Sequence, residues 1–278
     1  MRKKLEINKG SETHPKNKGI TYRVWSARSL MWALAKRDIR ARFMGSVGGV
    51  TWNVLQPLVL IAVFTLLFNY VLGMKNFTGG KGYIFYLVAG LLPWNALQEA
   101  FMRSTNVFIE NSRLILKTPF PIEVLVGEVI IASILNLSVG LTVFIIFLPL
   151  LGVPYHLFIF LLPIALLLEA FLITGPSLIL ASLTPFWRDI HPITSLVLLI
   201  GFWATPIVYK PEMLPPQTAI MLKLNAFHHL ANFFRASLSG EDFPSLDEMA
   251  ILILVSLAMS IAGVWIFSRT RKKIPELL

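Results

Sequence analysis

The sequence predicts an all-α integral membrane protein: six transmembrane helices, an amphipathic interfacial helix ahead of them, and short re-entrant helices before the last span. Three observations carry this. Six apolar stretches are long enough to cross a bilayer, whose hydrocarbon core of about 30 Å takes about 20 helical residues. The clearest, Val129 to Val153, runs 25 residues without an Asp, Glu, Lys or Arg. With 55% hydrophobic and 14% charged residues in 278, the chain has too little polar surface for a soluble domain of this size. The net charge of +10 is concentrated: 12 of 25 Lys and Arg lie in residues 1–49 and four in 269–273. Basic flanks on an apolar bundle are signals of topology and lipid contact, not of nucleic-acid binding.

In chain order, residues 1–26 form a tail rich in Lys, Asn, Glu and Gly, too long and polar for a signal peptide and expected to stay in the cytoplasm. Residues 27–45 read as the interfacial helix. At 100° per residue Leu30, Met31, Trp32, Leu34, Ala35, Ile39 and Phe43 share one arc, Lys36, Arg37 and Arg40 the other, and Asp38 and Arg42 interrupt the apolar side. Such a helix lies in the headgroup layer or packs on its own bundle. Gly45, Gly48 and Gly49 end it. Spans follow at about 50–73, 83–108, 123–150, 157–183, 191–209 and 248–268, in one transmembrane domain over 27–268 with a cytoplasmic tail at 269–278. With both termini inside, 20 of the 25 Lys and Arg fall inside and five outside, as the positive-inside rule requires. The connection at 210–247 holds Pro211, Pro215 and Pro216, then Ile220, Leu224, Phe227, Leu230, Phe233 and Phe234. It is too apolar for a free loop and too interrupted for a span, and reads as one or two short helices dipping into the bundle.

No catalytic constellation stands out. Thr78-Gly79-Gly80-Lys81-Gly82 lacks the phosphate-cradling spacing of GxxxxGK[ST]. No cysteine is present, which removes disulfide and thiolate chemistry. His228 and His229 are adjacent and so do not share a helix face, and no metal site is expected. Glu99, Glu128 and Glu169 fall within spans, where a charge costs at least about 2.5 kcal/mol and is paired or functional. No Lys or Arg reads as deep enough to pair with them. Structural hydrogen bonding, a substrate path (for Glu169) and proton coupling remain open for these carboxylates. Trp94, Phe202, Trp203 and Tyr209 recur beside Pro and Gly; they fit a headgroup belt or an aromatic lining for a glycan.

Several segments share an order and spacing. Arg37-Asp38-Ile39-Arg40-Ala41-Arg42-Phe43 leads through Gly45-Ser46-Val47-Gly48-Gly49-Val50-Thr51-Trp52 to Gln56-Pro57. Gly90-Leu91-Leu92-Pro93-Trp94, Lys117-Thr118-Pro119-Phe120-Pro121, Phe186-Trp187-Arg188-Asp189-Ile190, Thr205-Pro206-Ile207-Val208-Tyr209 and Leu214-Pro215-Pro216 follow. Over about residues 30–275 this resembles the membrane subunits of type-2 ABC exporters that move polysaccharides or their lipid-linked forms. The sequence departs from the family's usual Asn-Pro after span five, since Asn225 precedes Ala226.

The resemblance implies a permease that is not itself an enzyme, paired with a second copy of itself and two copies of a cytoplasmic ABC ATPase that uses ATP and Mg. No cofactor is expected on this chain. Arg113 and Lys117, Thr118, Pro119, Phe120 and Pro121 would dock the ATPase with Phe186, Trp187, Arg188 and Asp189. Trp94, Phe202, Trp203, Tyr209 and Glu169 would line the substrate path. Arg37, Arg40 and Arg42 would meet lipid phosphates or headgroups. The expected cargo is a polyprenyl-linked, O-antigen-like polysaccharide crossing the bacterial cytoplasmic (inner) membrane, with teichoic acid or capsular polysaccharide as alternatives. An ion-coupled secondary transporter would depend on Glu169 or Glu128. A membrane-embedded enzyme acting on polyprenyl phosphates would need a metal site that the lone Asp189 does not supply.

Overall fold

The apolar runs become helices that wrap one another. The computed structural model describes residues 27–43, 83–117 and 121–278, with a few positions between 55 and 67. The tail 1–26, the Gly45–Gly49 break, most of the first predicted span, the Thr78–Gly82 tract and Thr118–Phe120 lie outside the described residues. We number the helices α1 (Arg28–Phe43), α2 (Tyr83–Glu110), α3 (Ser112–Lys117), α4 (Glu123–Phe147), α5 (Leu162–Leu183) and α6 (Ile190–Ala204). Then come α7 (Ala219–Leu224), α8 (Ala226–Ser239), α9 (Leu246–Thr270) and α10 (Ile274–Leu277).

Helices therefore stand at five of the six predicted spans. Glu123–Leu151, Leu157–Leu183 and Leu246–Thr270, the first two including a 3-10 turn, are long and apolar enough to cross a membrane. α2 has 28 residues but carries Asn95, Gln98, Glu99 and Arg103, and protein rather than lipid covers its first half. α6 is shorter than the sequence predicts. It has 15 residues, about 22 Å, and ends at Ala204, where Thr205 turns extended ahead of Pro206.

Two apolar clusters divide the bundle lengthwise. One joins Val107 and Phe108 of α2, Ile115 of α3, Leu125 and Val126 of α4, Leu178 and Ala181 of α5, Phe267 of α9 and Ile274 of α10. We call this the near end; it carries the C-terminal residues and the turn at 184–189. The other joins Val88 and Trp94 of α2, Leu141 and Phe144 of α4, Ala165 of α5 and Phe227, Leu230 and Phe234 of α8. That is the far end. Between them α5 and α9 make the most extensive contact in the fold. Their backbones touch: a Cβ on Gly175 would lie 2.2 Å from the Met259 carbonyl carbon, and one on Gly263 2.5 Å from the Gly175 oxygen. Such small-residue seams replace the hydrophobic drive that lipid cannot supply.

The connection after α6 contains the two short helices expected of it, α7 and α8. Asn225 explains why its Asn-Ala works without proline. Its side chain accepts from the His228 backbone N–H at 3.1 Å, so Asn225 is the N-cap of α8 and Ala226 occupies the position proline favours. Ser245 and Glu248 form a reciprocal capping box at the start of α9.

Candidate functional site

Both predicted docking segments lie at the near end. In α3, Ile115 plugs into the near-end cluster while Arg113 and Lys117 face outward; Pro121 is half-buried. Thr118, Pro119 and Phe120 lie outside the described residues. Beyond α5 the chain makes tight turns, with the N–H groups of Phe186 and Trp187 both bonded to the Leu183 carbonyl at 3.0 Å. Phe186, Trp187, Arg188 and Asp189 are all exposed, Trp187 at 64% of its surface. His191 holds this turn to α2, its Nδ1 lying 2.7 Å from Thr105 Oγ1. Local sequence contains no sign of that contact, because the partners are 86 residues apart.

The basic helix α1 packs on α4 by a narrow stripe, Met31 and Ala35, leaving Leu30 and Trp32 exposed on the predicted apolar arc. Arg37 and Arg40 are exposed; of Arg42 only the helical backbone is described. Asp38, which interrupts the apolar arc, belongs in the seam. Its Oδ2 lies 3.0 Å from Nη2 of Arg103, and the same Nη2 lies 3.3 Å from Glu128 Oε1. Nη1 of Arg103 sits 3.5 Å from Glu99 Oε1, an ion pair too long and bent for a good hydrogen bond. This corrects the expectation that no basic residue reaches Glu99 and Glu128. A guanidinium on a long stem extends from the inner part of α2 to both. Asn136 completes the arrangement by donating to both Glu99 oxygens at 3.2 and 3.0 Å. A cavity of about 220 Å³ opens here, lined by Arg37, Asp38, Arg103, Glu110 and Glu128 among others.

At the far end Trp94 is buried, with Phe227 5.0 Å away edge-on and Phe202 5.8 Å away. Phe202 in turn meets Trp203 at 5.4 Å, and Trp203 is 59% exposed. The row thus runs from the core to the surface, ending at Tyr209, whose hydroxyl donates to the Trp203 carbonyl at 2.6 Å. Glu169 is fully buried elsewhere on α5 with neither oxygen hydrogen-bonded, so no hydrogen bond joins it to that row.

Nothing in the local sequence pattern singles out Arg235. It reads as an outside loop charge, yet only 7% of it is exposed. Its Nε donates to the Tyr86 carbonyl at 3.1 Å, Nη1 to Asn232 Oδ1 at 3.0 Å and Nη2 to the Pro206 carbonyl at 3.1 Å. The guanidinium lies 3.6 Å from the Tyr86 ring centroid. Tyr86 donates to the Pro206 and Tyr209 carbonyls, Tyr83 to that of Val208, and Asn225 to Thr205 Oγ1 at 2.8 Å. Three carbonyls of the irregular segment 205–209, those of Pro206, Val208 and Tyr209, therefore accept from side chains, which replace the helix ladder in an apolar bundle. Burial lowers the Arg235 pKa to about 10, which leaves it charged at neutral pH, and lowers His228 to about 4 with help from His229 and Arg235. Among the described residues no cluster of His, Asp and Glu could hold a metal.

Residues 29–239, which run from α1 to the end of α8, match the family described as ABC-2 type transporter. The chain belongs to that family. As an ABC-2 chain it is also similar, nearly end to end, to proteins named O-antigen export system permease protein RfbA. The one from Myxococcus xanthus is 27% identical over 263 residues, covering 91% of this chain and 96% of its own length. Two from Klebsiella pneumoniae are 25% and 24% identical, each covering 90% of this chain and 95% of its own length. The ABC-2 match spans α1, the two near-end segments of the predicted docking residues and the Arg235 helix.

Proposed function

We propose that this chain is the permease subunit of an ATP-driven exporter that moves a polyprenyl-linked, O-antigen-like polysaccharide across the bacterial cytoplasmic membrane. Two copies pair, and each recruits one copy of a separate ABC ATPase that supplies ATP and Mg chemistry. The observation that carries this reading is the near-complete, mutual coverage between this chain and export permeases. It is supported by the exposed Phe186–Asp189 turn at the near end, where a soluble partner can grip the side chains. The near end is then cytoplasmic, with α3 as the second docking element, and Arg37, Arg40 and Arg42 meet headgroups or the glycan's lipid phosphate. The aromatic row from Trp94 to Tyr209 borders the path, Trp203 presenting the exposed face on which sugar rings slide. Glu169, buried on α5 away from that row, joins the path only where the transport cycle opens the bundle beside it.

Co-purification with the ATPase subunit, followed by ATP hydrolysis in lipid, tests this. A 2:2 complex that hydrolyses ATP and fails to assemble when Arg188 and Asp189 are replaced by residues of opposite charge is the expected result. A folded permease that binds no ATPase would overturn it and return the function to an ion-driven role for Glu169.

A further inference from the structure

Helix α1 is held at two points on one face. Met31 lies over Gly127 of α4, where a Cβ would come within 2.3 Å of the Met31 sulfur. Asp38 follows seven residues later, two turns on and about 20° short of eclipsing Met31, and is held by Arg103. Of the residues between, Ala35 is buried and Leu34 half-buried, while Trp32, Lys36 and Arg37 are exposed.

We infer that Arg103 is a positioning residue of the transport cycle, which makes α1 move together with α2 and α4. The inference rests on the exporter reading above. One guanidinium faces carboxylates from three elements: Asp38 on α1, Glu99 on its own α2 and Glu128 on α4. Arg103 can release any one of them and keep two, so the node survives a change of angle between helices that a single pair would not. Its side chain and those of Asp38 and Glu99 are each at least a quarter exposed, and a cavity of about 220 Å³ beside it gives room and water for the rearrangement. Partly solvated pairs are individually weak, which suits a joint that flexes rather than a rigid weld. The Met31–Gly127 contact lies at the other attachment point and keeps α1 seated while the ionic one adjusts. Motion imposed at the near end on α3, which leads directly into α4, then reaches α1 and the basic face it presents.

The chain has no cysteine, so introduced thiols are the only ones. In the intact permease–ATPase complex in lipid, ATP hydrolysis and glycan export are measured together for Asp38→Asn, Asp38→Glu and the pair Met31→Cys with Gly127→Cys joined by a short bis-methanethiosulfonate, which forms one disulfide with each thiol and releases methanesulfinate. Asp38→Asn is expected to leave assembly and ATP hydrolysis within about twofold of wild type while export per ATP falls about tenfold. Asp38→Glu restores it, and the cross-linked pair exports normally because α1 and α4 travel together. Unchanged export per ATP in Asp38→Asn, or export stopped by the cross-link and restored by its reduction, would overturn the inference. A wild-type complex that hydrolyses ATP but exports no glycan would instead refute the exporter reading on which it depends.

Discussion

The two ends of this molecule accommodate an arginine in opposite ways. At the near end Arg103 is a quarter exposed and faces three carboxylates. At the far end Arg235 is buried, its neighbours are backbone carbonyls, an Asn side chain and a tyrosine ring, and among the described residues no carboxylate lies within ion-pair distance. A guanidinium suits both because its planar fork carries five donors and its faces stack on aromatics. The energetics differ. Exposed charge pairs exchange one partner for another or for water at little cost, whereas a buried donor set that satisfies carbonyls leaves each one stranded if withdrawn. The near-end node is therefore an adjustable joint and the far-end one a fixed clamp on the irregular segment 205–209.

The clamp gives the largest predicted effect. Arg235→Leu withdraws a donor from the Tyr86 carbonyl, the Pro206 carbonyl and the Asn232 oxygen in the core, with only the Tyr86 hydroxyl left on Pro206, and should cost about 3 kcal/mol of stability. Arg235→Lys should recover less than half, since an ammonium neither forks nor stacks in the same way. Thermal unfolding of the purified protein in detergent reads this directly. A leucine variant that melts with wild type would mean the clamp is ornamental.

Glycines beside each arginine-bearing seam sharpen the contrast. A Cβ on Gly90 would come 2.6 Å from Nη2 of Arg235, a group fixed by hydrogen bonds, so Gly90→Ala should cost about 1–3 kcal/mol. A Cβ on Gly127 meets only the end of the flexible Met31 side chain, and Gly127→Ala should cost less than about 1 kcal/mol because methionine repacks. Equal losses in the two variants would show that the seams do not differ in rigidity.

How much of this was legible in advance follows from the range over which each signal acts. The helix at 123–151 and the one at 246–270 are written locally, as runs of apolar residues long enough to span. The apolar run through Ile207, Val208 and Tyr209 extends predicted span five to Tyr209, but the chain leaves the helix at Ala204. That departure is stabilised by Tyr83, Tyr86 and Arg235, which are some 120 residues upstream or 29 downstream. Asp38, Arg103 and Glu128 are likewise lone charges in the one-dimensional chain and become a network only when α1, α2 and α4 meet. Exposure of the Phe186–Asp189 turn was readable from its charge and position, but the anchoring of that turn by His191 on Thr105 was not.

Next in size comes the near-end node. Arg103→Gln should cost about 1–2 kcal/mol, because water reaches Asp38 and Glu99 while Glu128 loses a donor in a buried site, and a double-mutant cycle with Asp38→Asn should return a coupling of about 0.2–1 kcal/mol that shrinks with added salt. A coupling of several kcal/mol, insensitive to salt, would make this seam a buried weld like the far one and erase the difference between the two ends.

The smallest effect lies beside the clamp. His228 sits in α8, outside the spanning helices, with its ring Nε2 3.3 Å from Asn232 Nδ2 and its pKa lowered to about 4 by burial, then by His229 and Arg235. The unfolded chain titrates this imidazole near 6.5. Between about pH 6.5 and 4 the unfolded state holds more protons than the folded one, so stability falls as pH falls through that window and is level above it. From pH 7 to 6 the loss should be roughly 0.7 kcal/mol, from the linkage of one group. Melting temperatures at the two pH values check it, and His228→Gln should flatten the slope while leaving that of an Arg103→Gln protein unchanged. If His228→Gln keeps the full slope, the buried imidazole does not set the pH response, and the fixed end of the molecule is not where its acid sensitivity lies.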